Sequence, residues 1–275
     1  MKMLKFVLTF VFGLVCIYML IAASVFFYQK RLIHIPFTMY SETPKDRAIP
    51  FESVVLKQQS DNASLNGWFI EVPDSKYTVL LFGGNAGNMS YMLDTIELLH
   101  KLGYSVFIYD YRGYGASTGK LTERAMYDDV RLVWEYLTES RQTSPNSIIV
   151  FGRSLGTAMA SWAATEYDPA ALIMESGFTS LADMGKIYYR WLPTNLMLRF
   201  RYDNISRVPR VRCPTLFIHS PEDELVPYAH AERLYSATMS DKSFLTISGD
   251  HNYGYLDSGE TYTRGIEEFL NQHLH

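Results

Sequence analysis

The segment Gly152-Arg153-Ser154-Leu155-Gly156 follows directly on the apolar run Ser147 to Phe151 and runs into the small-residue stretch Thr157-Ala158-Met159-Ala160-Ser161. A G-x-S-x-G pattern between a strand and a helix puts the serine on a strained turn that exposes its hydroxyl. Side chains at the two glycines would collide with the adjoining strand or helix. A serine hydroxyl is a poor nucleophile near neutral pH until an imidazole accepts its proton, and a carboxylate must hold that imidazole in one tautomer. Two downstream residues answer this need in the order Ser, Asp, His. Asp223 stands in His219-Ser220-Pro221-Glu222-Asp223-Glu224, just after the apolar run Thr215 to His219. His251 stands in Ser248-Gly249-Asp250-His251-Asn252, after the run Ser243 to Ile247 and before a C-terminal helical pattern. Both therefore fall at the C-terminal edge of a predicted strand, where ligand chemistry gathers in open α/β sheets. Glu222 and Glu224 are neighbours with the same chemistry, a wholly solvated acidic loop is the plain alternative for all three, and Glu175 is the runner-up acid. Among the other histidines, His230 falls on a helical pattern and His273 and His275 lie in the tail, while His34, His100 and His219 precede the acid. The plain alternative, a solvent-facing serine in a glycine-rich turn, is outweighed by the two partners in order.

Acyl transfer also needs donors aimed at the developing oxyanion. The backbone N–H of Leu155, the residue after the serine, is one candidate. The second is the backbone N–H of Asn85, in Gly83-Gly84-Asn85-Ala86-Gly87-Asn88 after the apolar run Thr78 to Phe82. Glycine lets the backbone approach a substrate closely. A phosphate-cradling loop is excluded here, since the segment has no lysine and no G-x-x-x-x-G-K-[ST].

These residues need a scaffold, and the chain's patterning predicts one. Near-continuous apolar runs at Thr78 to Phe82, Tyr104 to Tyr109, Ser147 to Phe151, Ala171 to Met174, Thr215 to His219 and Ser243 to Ile247 read as strands buried on both faces. Ser53 to Leu56 and Gly67 to Val72 read as an antiparallel lead-in. Helical spacing at Met126, Val130, Val133 and Leu137, and at Ile266, Phe269, Leu270 and Leu274, alternates with the strands. The alternation predicts a doubly wound, mainly parallel sheet. Residues 181–212, rich in aromatic and apolar side chains, depart from it and read as a small helical cap.

With 275 residues, 48% of them hydrophobic, the chain can bury one large core. Its 25 basic and 29 acidic residues give a net charge of -4 without a basic face, which excludes nucleic-acid binding. Cys16 and Cys213 are the two cysteines, and they offer neither a disulfide framework nor a metal site. Phe6 to Tyr28 is uncharged and apolar, long enough to cross ~30 Å of hydrocarbon. Lys2 and Lys5 precede it and Lys30 and Arg31 follow it. A cleaved signal peptide is the competing reading, through Ala22-Ala23-Ser24, but the apolar run continues past that point through Val25, Phe26 and Phe27. A lipoprotein is excluded because Val15 precedes Cys16. The expectation is a single-pass anchor over residues 1–31 and a hydrolase-like domain over residues 32–275, with the domain outside the cytoplasm.

Five segments in order carry a family resemblance: Gly84-Asn85-Ala86-Gly87-Asn88, Asp110-Tyr111-Arg112-Gly113-Tyr114-Gly115-Ala116-Ser117, the Ser154 turn, Glu175-Ser176-Gly177-Phe178-Thr179-Ser180, and Asp223 with His251. Over residues 50 to 274 the chain resembles the membrane-anchored α/β-hydrolase-domain serine hydrolases, the group that holds acyl-protein thioesterases and lysophospholipases. The resemblance implies the α/β-hydrolase fold, and a structural role for Asp110 and Arg112 in tying the loop beneath the active site. One position departs from the family: Gly83 stands where a histidine normally braces the first loop. The expected chemistry is two-step acyl transfer on an ester or thioester, with no metal or organic cofactor and with lipid-like substrates suggested by the anchor. A serine peptidase of the same fold, and a membrane-tethered binding module without turnover, are the rivals.

Overall fold

The computed structural model describes residues 1–274, so His275 lies outside the described residues. Helix α1 spans Lys2–Ile33, and only Ala22 and Gln29 in it are buried. At ~1.5 Å per residue it is ~48 Å long, enough by length and composition to cross a membrane. It starts earlier and ends later than the apolar run because the flanking lysines and arginine are themselves good helix formers.

After β1 (Ile35–Pro36) the chain builds the antiparallel lead-in pair β2 (Glu52–Lys57) and β3 (Ser64–Ile70), the latter starting three residues before the predicted Gly67 to Val72. The α/β winding follows: β4 (Thr78–Phe82), the short β5 (Ala86–Gly87), α2 (Leu93–Lys101), β6 (Ser105–Tyr109), α3 (Glu123–Glu135), β7 (Ile148–Arg153), α4 (Gly156–Glu166) and β8 (Ala171–Glu175). Two short helices, α5 (Leu181–Tyr188) and α6 (Thr194–Met197), occupy the predicted departure from alternation. The chain closes through β9 (Thr215–His219), α7 (Ala229–Ala237), β10 (Lys242–Thr246), α8 (Gly254–Asp257) and α9 (Gly259–His273).

The eight-stranded sheet has the order β10-β9-β8-β7-β4-β6-β3-β2. From β10 to β6 every pairing is parallel, and β3 and β2 add antiparallel strands at one side. Alternate residues of each central strand feed two cores. Leu80, Val150, Leu172 and Phe217 pack towards α3 and α4 with Val130, Val133 and Ala160. Val79, Ile149, Ile173 and Ile218 pack on the other face with Ile96, Leu99, Ile266 and Phe269. The period-2 alternation of the pleat makes one strand serve both layers.

β10 also differs from its sequence reading. It covers Lys242–Thr246, one residue earlier than predicted, and its side chains are half-buried to exposed. It is an edge strand with a neighbour on one side only, so its apolar run does not mean burial on both faces.

Candidate active site

The turn after β7 has the geometry its glycines imply. Ser154 sits in the left-handed region at φ 51°, an uncommon place for a residue with a side chain. The strained turn is pinned by Ser154 N–H donating to the Glu175 carbonyl at 2.8 Å and by Thr157 Oγ1 donating to the Ser154 carbonyl at 2.6 Å. A Cβ on Gly152 would strike the Gly156 carbonyl, and a Cβ on Gly156 would strike the Phe82 carbonyl. Neither glycine position has room for a side chain, so the tight strand-to-helix passage depends on both.

Three distant segments meet here. Ser154 Oγ donates to His251 Nε2 at 2.9 Å, and His251 Nδ1 donates to Asp223 Oδ2 at 2.7 Å. The Asp223 side chain is fully buried and His251 nearly so, while Ser154 is half-buried at the floor of a cleft. The other carboxylate oxygen of Asp223 accepts from Leu225 N–H at 2.9 Å and Val226 N–H at 2.7 Å. Burial alone would raise this carboxyl; donors from His219, His251 and the Val226 backbone outweigh it and hold Asp223 well below the usual carboxylate range.

His219 is a residue the sequence reading passed over because it precedes the acid. Its Nε2 donates to the Val226 carbonyl at 2.8 Å and stands 3.3 Å from Asp223 Oδ2, with the ring fully buried. A carbonyl acceptor puts the proton on Nε2, so the N–H dipole supports the carboxylate. The spacing of four residues from Asp223 was the available signal. Glu222 and Glu224 are not merely solvated. Glu222 accepts from Gly249 N–H at 2.9 Å and Glu224 from His251 N–H at 3.1 Å, so they tie down the loop that carries the imidazole. Glu175, the runner-up acid, is committed elsewhere: it pairs with Arg153 at 2.9 Å and accepts from Tyr262 Oη at 2.7 Å.

Asn85 and Leu155 both line the cleft beside Ser154. Among the described residues neither backbone N–H has an intramolecular acceptor. Leu155 caps the N-terminus of α4, where unsatisfied amides favour negative charge. Asn85 is held through its other atoms. Its side-chain Nδ2 donates to the Ile33 carbonyl at 2.8 Å, and its carbonyl accepts from Ile35 N–H at 2.9 Å and Tyr114 Oη at 2.6 Å. Tyr111 Oη donates to the Gly83 carbonyl at 2.9 Å. The bracing that Gly83 cannot give with a side chain thus comes from two tyrosines and from the stretch just after α1.

That stretch had no periodic signature, and its role is visible only in three dimensions. β1 pairs in parallel with β5, and Phe37 N–H donates to the Gly87 carbonyl at 2.9 Å. Asn88 Nδ2 donates to the Met39 carbonyl at 2.8 Å, and Tyr40 Oη donates to Asp110 at 2.6 Å. Asp110 also accepts from Met89 N–H at 2.7 Å. Arg112 grips Asp129 through two bonds of 2.7 Å and pairs with Asp61. Neither Asp110 nor Arg112 lines the Ser154 cleft.

The cleft holds about 450 Å³. Leu32 and Ile33 of α1, Phe178, and Leu181, Met184 and Tyr188 of α5 wall it. The segment before the domain is therefore not only a tether; its last turn forms part of the wall.

Comparison with known proteins bears on the family and the fold. The model of the prolyl oligopeptidase family matches residues 89–274, from just after Asn88 to the C-terminal helix. The α/β-hydrolase domain-containing protein WAV2 of Arabidopsis thaliana is 30% identical over 274 residues, covering 90% of this chain and 88% of its own. This chain belongs to the α/β-hydrolase family. A membrane protein of Saccharomyces cerevisiae is 31% identical to this α/β-hydrolase, covering 95% of each chain, so the similarity takes in at least part of the N-terminal helix as well as the domain. Among solved structures, an esterase of Pyrococcus furiosus superposes with a TM-score of 0.75 at 22% identity, over 88% of this chain and 98% of the esterase. At that identity the likeness speaks to the fold.

Proposed function

We propose that this α/β-hydrolase is a membrane-anchored serine hydrolase that cleaves acyl ester or thioester bonds of lipid-like substrates. The observation that carries the reading is the continuous hydrogen-bonded chain from Ser154 through His251 to Asp223 at the floor of an apolar cleft. Ser154 Oγ attacks the substrate carbonyl carbon while its proton passes to His251 Nε2, and Asp223 steadies the imidazolium. The oxyanion accepts from the N–H groups of Leu155 and Asn85. The leaving alcohol or thiol departs with the proton from His251, and water then releases the acyl group from Ser154 by the same route.

The family match with prolyl oligopeptidases supports a second reading, hydrolysis of a peptide bond by the same triad. The cleft lining weighs towards acyl substrates. Apart from His251 it carries no side chain that could bear charge at neutral pH to hold a peptide terminus, and most of its wall is aliphatic or aromatic. The direct test is labelling by a fluorophosphonate, which reacts with an activated serine. Wild type is expected to label, and Ser154→Ala and His251→Ala to lose nearly all signal. Unlabelled wild type would leave a tethered domain without this chemistry. A panel of long-chain esters, acyl thioesters and peptide amides separates the two hydrolytic readings.

A further inference from the structure

A second apolar cavity of about 120 Å³ lies against the Ser154 cleft, lined from one side by Val25, Gln29 and Leu32 of α1 and from the other by residues including Leu192, Met197 and Leu198. Leu32, Ile33, Leu181, Met184, Tyr188 and Tyr189 line both spaces, so the two are neighbouring apolar chambers. The outer chamber is built in a fixed register. Gln29, a buried amide near the end of α1, donates to the Met197 carbonyl at 2.6 Å and accepts from Arg199 N–H at 2.8 Å. A buried amide is costly unless both its ends are satisfied, and here both are, at one alignment of α1 with the 197–199 backbone. Farther along, Tyr18 Oη donates to the Trp191 carbonyl at 3.1 Å and the two rings meet edge to face at 6.3 Å. The segment around α5 and α6 therefore runs beside α1 from Ile33 back to Tyr18, ~22 Å along the helix and well inside its apolar stretch. Within this segment Ile187, Tyr188, Trp191 and Leu196 are also partly exposed.

From this placement, and resting on Ser154 as the nucleophile, we infer that the end of α1 and the 181–198 segment form an acyl-chain subsite filled sideways from the bilayer. The occupant is a single hydrocarbon chain of a membrane-embedded ester, whose carbonyl reaches Ser154 while its tail lies in the outer chamber between Val25 and Leu198. Charge and lining agree: the chamber offers an alkyl chain apolar contact, Gln29 spends its polar atoms on backbone, and the helix that walls it is the one suited to cross the membrane. α1 is on this view part of the specificity pocket as well as the anchor.

The test uses the full chain in phosphatidylcholine nanodiscs, with four-carbon and sixteen-carbon esters of the same chromophore. Val25→Trp fills the outer chamber from α1, and Leu198→Trp fills it from the facing wall in case the first substitution disturbs helix packing. In variants that still label with fluorophosphonate, the ratio of long-chain to short-chain kcat/KM is expected to fall about tenfold or more. An unchanged ratio in both labelled variants overturns the subsite while leaving the serine hydrolase intact. Wild-type protein is also expected to turn over the long-chain ester about tenfold faster when the ester is embedded in the same disc than when it is carried on albumin. Equal rates overturn entry from the bilayer. Wild type that neither labels nor cleaves either ester removes the hydrolase reading itself, and the subsite with it.

Discussion

Single residues at this site are held by more partners than the proposed proton relay needs. Asp223 has both oxygens occupied, one by His251 and one by two backbone amides, with His219 alongside. A carboxylate so surrounded cannot swing away from the imidazole when the substrate arrives, and its stabilising contribution is present above the usual carboxylate pKa and lost only as pH falls through its depressed value. Asp110 shows the opposite balance. Burial raises its carboxyl from 3.8 to about 6, against the lowering effect of its bonds from Tyr40 and Met89. The folded protein thus binds a proton at Asp110 that the unfolded chain has already lost, so this residue's contribution to stability declines as pH rises from about 4 to about 6 and is level above that. Asp110→Asn removes the decline. Its unfolding free energy, measured by denaturant titration, is expected to gain about 3 kcal/mol on wild type between pH 4 and pH 7. A constant difference across that range contradicts the assignment. In the sequence Ser154, Asp223 and His251 were legible because a strand edge and a chain order mark them. His219 was not, because its task depends on a turn that brings a residue four places earlier back onto the same carboxylate.

At the scale of elements, the site is a set of strand ends. β7 delivers Ser154, β9 delivers His219 and Asp223, and the loop after β10 delivers His251, all at the C-terminal edge of parallel strands. Parallel pairing puts these edges side by side, which is why residues far apart in sequence can hydrogen-bond. The join of β7 to α4 is the least tolerant point, since it passes under β4 with no space for a side chain at Gly156. Gly156→Ala is expected to cost about 3 kcal/mol through overpacking against the Phe82 backbone. In a thermal melt this lowers Tm by about 5 °C or more, with slower fluorophosphonate labelling. A melt and labelling rate like those of wild type would show that the turn relaxes freely. Strand positions were readable because β-branched and apolar runs of five or six residues leave little ambiguity. The edge placement of β10 was not readable, because a run of apolar residues does not say how many neighbours the strand will have.

For the whole molecule, the chain before residue 41 is divided by function more finely than anchor and domain. Residues up to about Leu20 of α1 are exposed apart from a half-buried Gly13, whereas Leu32, Ile33 and β1 reach the cleft and the Asn85 loop. Deleting residues 2–20 is expected to weaken membrane association while short-ester kcat/KM stays within about twofold of wild type. Deleting residues 2–40 removes the bonds to Asn85, Gly87 and Asp110, and the same kcat/KM is expected to fall about tenfold or more with a lower Tm. Sedimentation with membranes, ester kinetics and thermal melts on the two proteins check this, and equal activity of both would show that the stretch after α1 is only a linker. The sequence by itself determined the α/β winding and the apolar N-terminal helix, and it singled out Ser154, His251 and Asp223, which the fold brings within hydrogen-bonding distance, because period, turn chemistry and chain order are local properties. Only the tertiary structure decided what steadies the Asn85 loop, which acids brace the His251 loop, and that the end of the N-terminal helix walls the cleft. Those are pairings across 27 to 168 residues, fixed by how the packed layers meet, and nothing in the local pattern of either partner encodes the other.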